Sequence, residues 1–570
     1  MRVLGIASDV WISSAALIED GKIVHAVAEE RYNRRKMAKD FPRASIDSCL
    51  ARAGIGINDV DAVAFGWSPA GHMRQVSGRF LDTMRWRGEY LYMVPASLVR
   101  QFGSPNITNL TQHVETEDWN CNIVYVNHHM AHAASAYNLS PFEDCAIFTM
   151  DGRGDADTCT WNVGRNGTIE KVKSLAMPTS IGLLYSSITD FLGFKPHVDE
   201  WKVMALASYG KKTDYVDRLR RLITLLDDGG FEIDLSYFSF YKFDPDPYMF
   251  SEKFIELFGE PRTRDEELTS RHQDIAFAMQ AVFEEIATHM LVKLHDLTGM
   301  DRLAMAGGAV MNSVYNGKIL DRTPFKELFI PSCPDDSGVS LGAALYAYQQ
   351  MAPGSPIIHH RDNYWGDEFS DAEIEETLAK YKLNARKCET PADTAAEMLE
   401  NSKLVGWFQG RMEFGQRALG NRSILADPRR EDSKDLVNKA VKYRESFRPF
   451  APAILSERLG DYFHAPEGLE VLFMERVLDA REEKKAEIPA VVHVDGTGRV
   501  QSVDKGTNPL FYQLIEAFEA RTGVPIVLNT SFNLNGEPIV RSPSDAIRSF
   551  FTCGLDAIFL GSYLIEKPKT

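Results

Sequence analysis

A strand–loop–strand–turn–strand unit occurs twice in the first third of the chain, and this constrains the fold more than any other feature. Residues 3–7 are apolar, 13–18 form a second run, Glu19-Asp20-Gly21 makes a tight turn, and 22–28 leave it. The pattern returns at 145–172. There 146–150 are apolar, Asp151-Gly152-Arg153-Gly154-Asp155 follows, 158–163 alternate, and Asn166-Gly167 turns into 168–172. An Asp-Gly or Asn-Gly pair between alternating runs is a strong hairpin signal. Two copies of one unit predict an internal duplication.

Duplication gives two lobes, each aiming a polar loop at a shared site. That pattern is typical of the actin/sugar-kinase/Hsp70 class of nucleotide-binding folds. A chain of 570 residues is too long for one core, so at least one more domain is expected. Residues 41–53 fit an amphipathic helix, and 271–297 fit a long one carrying Ile275, Met279, Phe283, Ile286, Met290 and Leu294 on one stripe. Residues 303–306 are a buried-type strand, and 338–349 a helix of small residues. The stretch 351–365, rich in Pro, Gly and His, is the expected linker. The boundaries are then 1–350 for the duplicated domain and 366–570 for an α/β C-terminal domain. Ser370 and Glu373 resemble a capping box at the start of the latter.

No run approaches 18 apolar residues, and the apolar N-terminal stretch breaks at Asp9, so neither a membrane span nor a secretory signal is expected. The seven cysteines show no CxxC pair, which fits reduced thiols in a cytoplasm. A net charge of −17 argues against a broad nucleic-acid surface, because phosphates would be repelled.

Four constellations could carry chemistry. His128 and His132, at i and i+4, share one face of a helix. With Asp151 after a buried-type strand and Asp336 before a helix start, they make a mixed N/O set suited to iron, manganese or zinc rather than calcium. A bare HxxxH is more often two core or surface histidines, and the two acids tip the balance. Gly307 and Gly308 follow a short strand and let a ligand lie against backbone, although Gly pairs also serve close packing. The window 401–450 holds eleven Lys/Arg and six Asp/Glu. Glycines alternate there with Arg411, Arg417 and Arg422, then Lys442, Arg444 and Arg448 follow. Guanidinium groups match phosphate oxygens, which favours a phosphate pocket over a solvated helix face. Asn529, Thr530, Ser531 and Asn533 cluster at a strand end, either capping a turn or holding a small polar substrate. Ten aromatics between residues 231 and 258 are read as core packing before a ligand wall.

Nine segments in order, EERYNRRK, NHHMAHAASAY, DGRGD, EWKVMALASYG, AGGAVMNSVYNGK, DDSGVSLGAA, GRMEFGQRALGNRS, KYRESFRPFAP and LNTSFNLNGEPIV, resemble the O-carbamoyltransferase family that decorates antibiotics and nodulation factors. The resemblance covers nearly the whole length. It implies a TsaD-like N-terminal domain and a YrdC-like C-terminal domain in a cytoplasmic enzyme of natural-product biosynthesis. The C-terminal domain would join carbamoyl phosphate and ATP, with Mg(II), into carbamoyl adenylate and pyrophosphate. The N-terminal domain would pass the carbamoyl group to a hydroxyl of a small molecule. By this resemblance His128, His132, Asp151 and Asp336 bind a metal, expected to be iron(II). Asp151, Gly152, Gly307, Gly308 and Asn312 bind the adenylate. Arg417, Lys442, Arg448, Arg499, Asn529 and Ser531 bind carbamoyl phosphate and ATP, and Arg417, Lys442 and Arg448 also act in catalysis. A homodimer is compatible, and no nucleic-acid or membrane partner is expected.

One position departs from the family. A His-Asp pair, thought to act on the acceptor hydroxyl, is replaced by Trp11-Ile12. Neither side chain accepts a proton, and Asp9 is the nearest substitute by position. The alternatives are threonylcarbamoyl transfer to tRNA, a sugar-kinase-like phosphotransferase, and a non-catalytic binding protein.

Overall fold

The computed structural model describes residues 1–8, 11–68, 118–155, 157–241, 248–442 and 447–568. The chain separates into two compact units. One comprises Met1–Glu29 and Ala38–His359, the other Glu30–Met37 and His360–Thr570.

The first unit contains the expected duplication. Its first sheet runs β3 (Lys22–Ala28), β2 (Ser14–Glu19), β1 (Arg2–Ala7), β4 (Ala62–Phe65), β5 (Asn122–Tyr125). Its second runs β8 (Thr168–Ala176), β7 (Asp157–Arg165), β6 (Cys145–Met150), β11 (Arg302–Ala306), β12 (Glu327–Phe329). In both, two antiparallel pairings are followed by two parallel ones. Order and direction coincide strand for strand, which is the duplicated actin/sugar-kinase/Hsp70-like architecture. The hairpins turn as their sequences require. Asp20 and Gly21 have φ of 48° and 77°, and Asn166 and Gly167 have 48° and 73°. Two consecutive positive φ values match the right-handed twist of the flanking strands.

Two buried helices position the site. His128–Leu139 packs on β6, β7 and β11, and Val339–Met351 packs on β1, β2 and β4 and against the first helix. Small residues make this layering feasible. A β-carbon on Gly342 would lie 1.9 Å from the Ala131 carbonyl oxygen. The long helix Ser270–Thr298 ends at Gly299, whose left-handed φ of 63° closes it. Among the described residues it is the one helix long and apolar enough to cross a membrane, and 67% of its apolar window is buried. β9 (Ile223–Leu225) and β10 (Phe231–Ile233) form a short hairpin. The aromatic-rich stretch is core: Phe238, Phe250, Phe254 and Phe258 are buried, and the last three ring Phe191. Phe243 lies outside the described residues.

The second unit is built on a mixed eight-stranded sheet. Its order is β13 (Arg386–Lys387), β22 (Tyr563–Glu566), β21 (Ala557–Leu560), β14 (Val405–Phe408), β15 (Arg422–Ala426), β20 (Ile526–Ser531), β16 (Ala451–Leu455), β19 (Gln501–Val503). β17 (Val477–Asp479) and β18 (Thr497–Arg499) pair beside it. Helices Pro391–Glu400 and Pro509–Thr522 pack together over a core centred on Trp407 and Phe559. The Ser370–Glu373 capping box forms, with the Ser370 N–H donating to Glu373 Oε2 at 2.7 Å.

The segment Glu30–Met37 packs wholly within this unit. Arg31 pairs with Glu30 at 2.5 Å and donates to the Gly415 carbonyl at 2.9 Å. Glu30 in turn accepts the Met37 N–H at 2.6 Å. Arg34 donates to the carbonyls of Ile539 (2.6 Å) and Pro538 (2.7 Å). The side chains of Glu30 and Arg31 are only 2% and 3% exposed. Two backbone loops of the second unit are thus held by arginines from the start of the chain.

Candidate metal centre

Asn127 caps the helix His128–Leu139 by accepting the Met130 N–H at 3.0 Å. Asp155 fixes the same helix end, accepting from Asn127 Nδ2 (2.5 Å), the His128 N–H (3.1 Å) and the Ser68 N–H (2.7 Å). A carboxylate at a helix N-terminus is well placed to satisfy free N–H groups. Asp155 ends the DGRGD segment, and its clamping role is not readable from that segment alone.

His128 and His132 then stand one turn apart with Nε2 atoms 3.2 Å from each other. Asp151 follows β6, and Asp336 opens the turn before Val339–Met351. His128 Nε2 lies 3.1 Å from Asp151 and 3.5 Å from Asp336; His132 Nε2 lies 3.6 Å and 3.4 Å from the same carboxylates. All four side chains are buried, and one ligand atom of each lies within 4.8 Å of the others. Burial opposes charging His128, but Asp336 and Asp151 outweigh it and hold the ring well above the ordinary histidine range. Burial likewise opposes ionising Asp151, yet His128 and His132 hold it well below the usual carboxylate range.

The geometry fits a metal. His128 Nδ1 faces the Gly66 carbonyl at 3.2 Å, which fixes the proton on Nδ1 and turns Nε2 to the cluster. An ion about 2.1 Å from each donor would set cis donor separations of about 3.0–3.4 Å, close to those found. Two imidazoles and two carboxylates suit a first-row transition metal. His129 is turned away, with Nδ1 2.6 Å from Thr149 Oγ1, and burial keeps its ring neutral.

Of the expected adenylate residues, Asp151 belongs to the cluster and Gly308 touches it. The Gly308 N–H donates to Asp151 Oδ1 at 3.0 Å, and a β-carbon there would lie 2.7 Å from that oxygen. The Gly307 N–H is taken by the Pro334 carbonyl at 2.6 Å, and the Gly152 carbonyl accepts the Ser180 hydroxyl at 2.6 Å. Asn312 exchanges two 3.0 Å bonds with Gln280 and caps the following turn through Tyr315 N. The backbone and amide groups of these residues therefore already hold protein partners.

Trp11 joins the site through its backbone, its N–H donating to Asp336 Oδ2 at 3.0 Å. The indole is stacked on His197 and lies under Lys39 Nζ. Neither residue was singled out from the sequence, since a lone histidine and a lone lysine in loops carry no spacing signal. Asp9 lies outside the described residues.

In the second unit Asn529 is bonded to, or paired with, segments next to several of the expected carbamoyl-phosphate residues. Asn529 Nδ2 donates to the Ala418 carbonyl, beside Arg417, at 3.2 Å, and to Gln501 Oε1, two residues from Arg499, at 2.9 Å. Asn529 pairs in register with Ala451, three residues after Arg448, and Ser531 pairs with Ser423. Asn529 Oδ1 is buried and accepts no hydrogen bond among the described residues. The side chain of Lys442 and all of Arg444 lie outside them. The basic window is narrower as a site than its composition implies. Arg411 donates to the carbonyls of Gly366 and Trp365. Arg422 is fully buried over Phe408 and donates to the carbonyls of Gln409, Asn421, Asp367 and Gly410. These two arginines tie the glycine-rich loop together.

Residues 2–345 match the carbamoyltransferase N-terminus family, and residues 396–567 match the carbamoyltransferase C-terminus family. Nodulation protein NolNO of Sinorhizobium fredii is 37% identical over 561 residues, spanning 97% of this chain and 78% of that protein. The 3'-hydroxymethylcephem-O-carbamoyltransferase of Amycolatopsis lactamdurans is 29% identical over 455 residues, spanning 78% of this chain and 80% of that enzyme. Among solved structures, the ROK hexokinase from Thermus thermophilus aligns with 62% of this chain and 100% of its own, with 13% identity and a TM-score of 0.31.

Proposed function

The chain belongs to the carbamoyltransferase family, and from that premise we propose that it moves a carbamoyl group from carbamoyl phosphate to a hydroxyl of a small natural product, using ATP and a carbamoyl-adenylate intermediate. Relatives named as 3'-hydroxymethylcephem O-carbamoyltransferases support a hydroxyl acceptor of that class. The observation that carries the reading is the buried His128, His132, Asp151 and Asp336 cluster beside Gly308.

The division of labour follows the two units, with a YrdC-like role for the second. Carbamoyl phosphate and ATP bring several negative charges together, and Arg417, Lys442, Arg448 and Arg499 would offset that repulsion. Asn529 Oδ1, an acceptor without a donor among the described residues, would receive the carbamoyl N–H; Ser531 stands on the same strand end. The intermediate would then be read in the first unit by Asp151, Gly152, Gly307, Gly308 and Asn312. A metal held by His128, His132, Asp151 and Asp336, iron(II) in our reading, would supply Lewis acidity toward phosphate and carbonyl oxygens. Mg(II) would accompany ATP.

The test needs no acceptor. The protein is incubated with ATP, carbamoyl phosphate and a divalent metal, and pyrophosphate and AMP are followed. Pyrophosphate release that depends on carbamoyl phosphate, and is lost in Arg417→Ala/Asn529→Ala, is the expected result. ADP as the product, or pyrophosphate release indifferent to carbamoyl phosphate, would overturn the reading.

A further inference from the structure

A hydroxyl that attacks a carbamoyl carbon must give up its proton, and general bases supply large factors in such steps. Trp11 and Ile12 lie in the loop between β1 and β2, and Ile12 is buried. A histidine from a distant part of the first unit stands against that loop. The His197 ring stacks on Trp11 with centroids 4.7 Å apart and planes inclined by 13°. Trp11 is itself fixed to the acidic cluster through the Asp336 carboxylate. Lys39 Nζ stands 3.6 Å from the centroid of the same indole. The loop thus holds an imidazole by its aromatic face.

The backbone also singles out His197. Its φ is +63°, in the left-handed region that side chains other than glycine enter at a cost. Its N–H donates to Glu200 Oε1 at 2.5 Å, and Glu200 accepts the Ser186 hydroxyl at 2.5 Å, so the conformation is held from behind. Among the described residues neither ring nitrogen has a hydrogen-bond partner. The side chain is half-buried. Burial, with the charges of Lys39 and Arg153, pushes the ring's pKa down to about 4, so a lone pair is present at neutral pH.

We propose that His197 accepts the proton of the acceptor hydroxyl, with Trp11 as its positioning residue. This rests on the carbamoyl-adenylate reading above. The hydroxyl oxygen bonds to the carbamoyl carbon while its proton passes to an imidazole nitrogen of His197. The bond between that carbon and the phosphate oxygen breaks, and AMP leaves with the electron pair. The imidazolium then returns its proton to solvent.

The test compares the full-length protein with His197→Gln and His197→Ala in two capture assays. Hydroxylamine is nucleophilic at neutral pH without a base and converts carbamoyl adenylate to hydroxyurea. Glycerol, present in excess as the alcohol probe, needs its proton removed. Both variants should form hydroxyurea within about 2-fold of wild type, while glycerol carbamoylation falls on the order of 100-fold. Added imidazole should restore part of the glycerol reaction in His197→Ala, which a packing role would not permit. Glycerol carbamoylation by His197→Gln within a few-fold of wild type would overturn the proposal, as would equal losses in both assays. Absence of hydroxyurea with the wild-type protein is a separate result, since it removes the adenylate reading and this proposal with it.

Discussion

Gly342 packs directly on the carbonyl oxygen of Ala131, so that a β-carbon there would lie 1.9 Å from it. His128 and His132 belong to the helix of Ala131, and Asp336 leads into the helix of Gly342. The distance between two helix backbones therefore sets the spacing of imidazoles and carboxylate.

A Gly342→Ala substitution should push these helices apart. Overpacking of a core typically costs about 1–3 kcal/mol. The thermal midpoint should fall, and metal retention should weaken even though no ligand has changed. Calorimetry and metal analysis on the same preparation check both effects. Unchanged metal content with a lowered midpoint would uncouple the helix spacing from the cluster.

The cluster itself should hold one transition-metal ion per chain. His128→Ala with His132→Ala removes both nitrogen donors and should abolish binding. Elemental analysis after dialysis measures this directly. Equal metal in wild type and double variant would sink the assignment.

His197 should titrate near pH 4. Its folded pKa lies below the ordinary histidine value of about 6.5, so the folded chain takes the proton less readily than the unfolded one. The ring thus contributes stability that is present above about pH 6.5 and lost as pH falls toward 4. Lys39→Met removes one of the charges responsible and should move the midpoint upward. The ring proton signals in NMR report it, and a midpoint that does not move would exclude Lys39 as a cause.

Arg31→Ala should unfold the second unit more readily than most substitutions. It leaves Glu30 buried without its partner, a change that typically costs about 3–5 kcal/mol, and it releases the Gly415 carbonyl. Denaturant titration should show the loss, and proteolysis should cut near the glycine-rich loop first. Loss from Glu30→Gln with Arg31→Met should be smaller, because no lone charge remains.

Local chemistry explains what was readable in advance. Asp20-Gly21 and Asn166-Gly167 are short-range signals, because two positive φ values admit few residue pairs. The shared face of His128 and His132 follows from helix period alone. Asp336 is legible as an acid before a helix of small residues. The composition of residues 401–450 cannot show that backbone carbonyls take the guanidinium groups of Arg411 and Arg422. His197 carries no spacing signal, and it acquires meaning only from a ring stacked on it by the fold. The docking of Glu30–Met37 is equally silent. Its partners, Gly415, Pro538 and Ile539, lie hundreds of residues away, and no periodicity links them.

That docking has a consequence for how the chain is made. The segment follows β3 directly, hundreds of residues before Gly415, Pro538 and Ile539 are made. The segment's buried pair and carbonyl contacts can therefore be completed only after the chain has been made as far as Ile539.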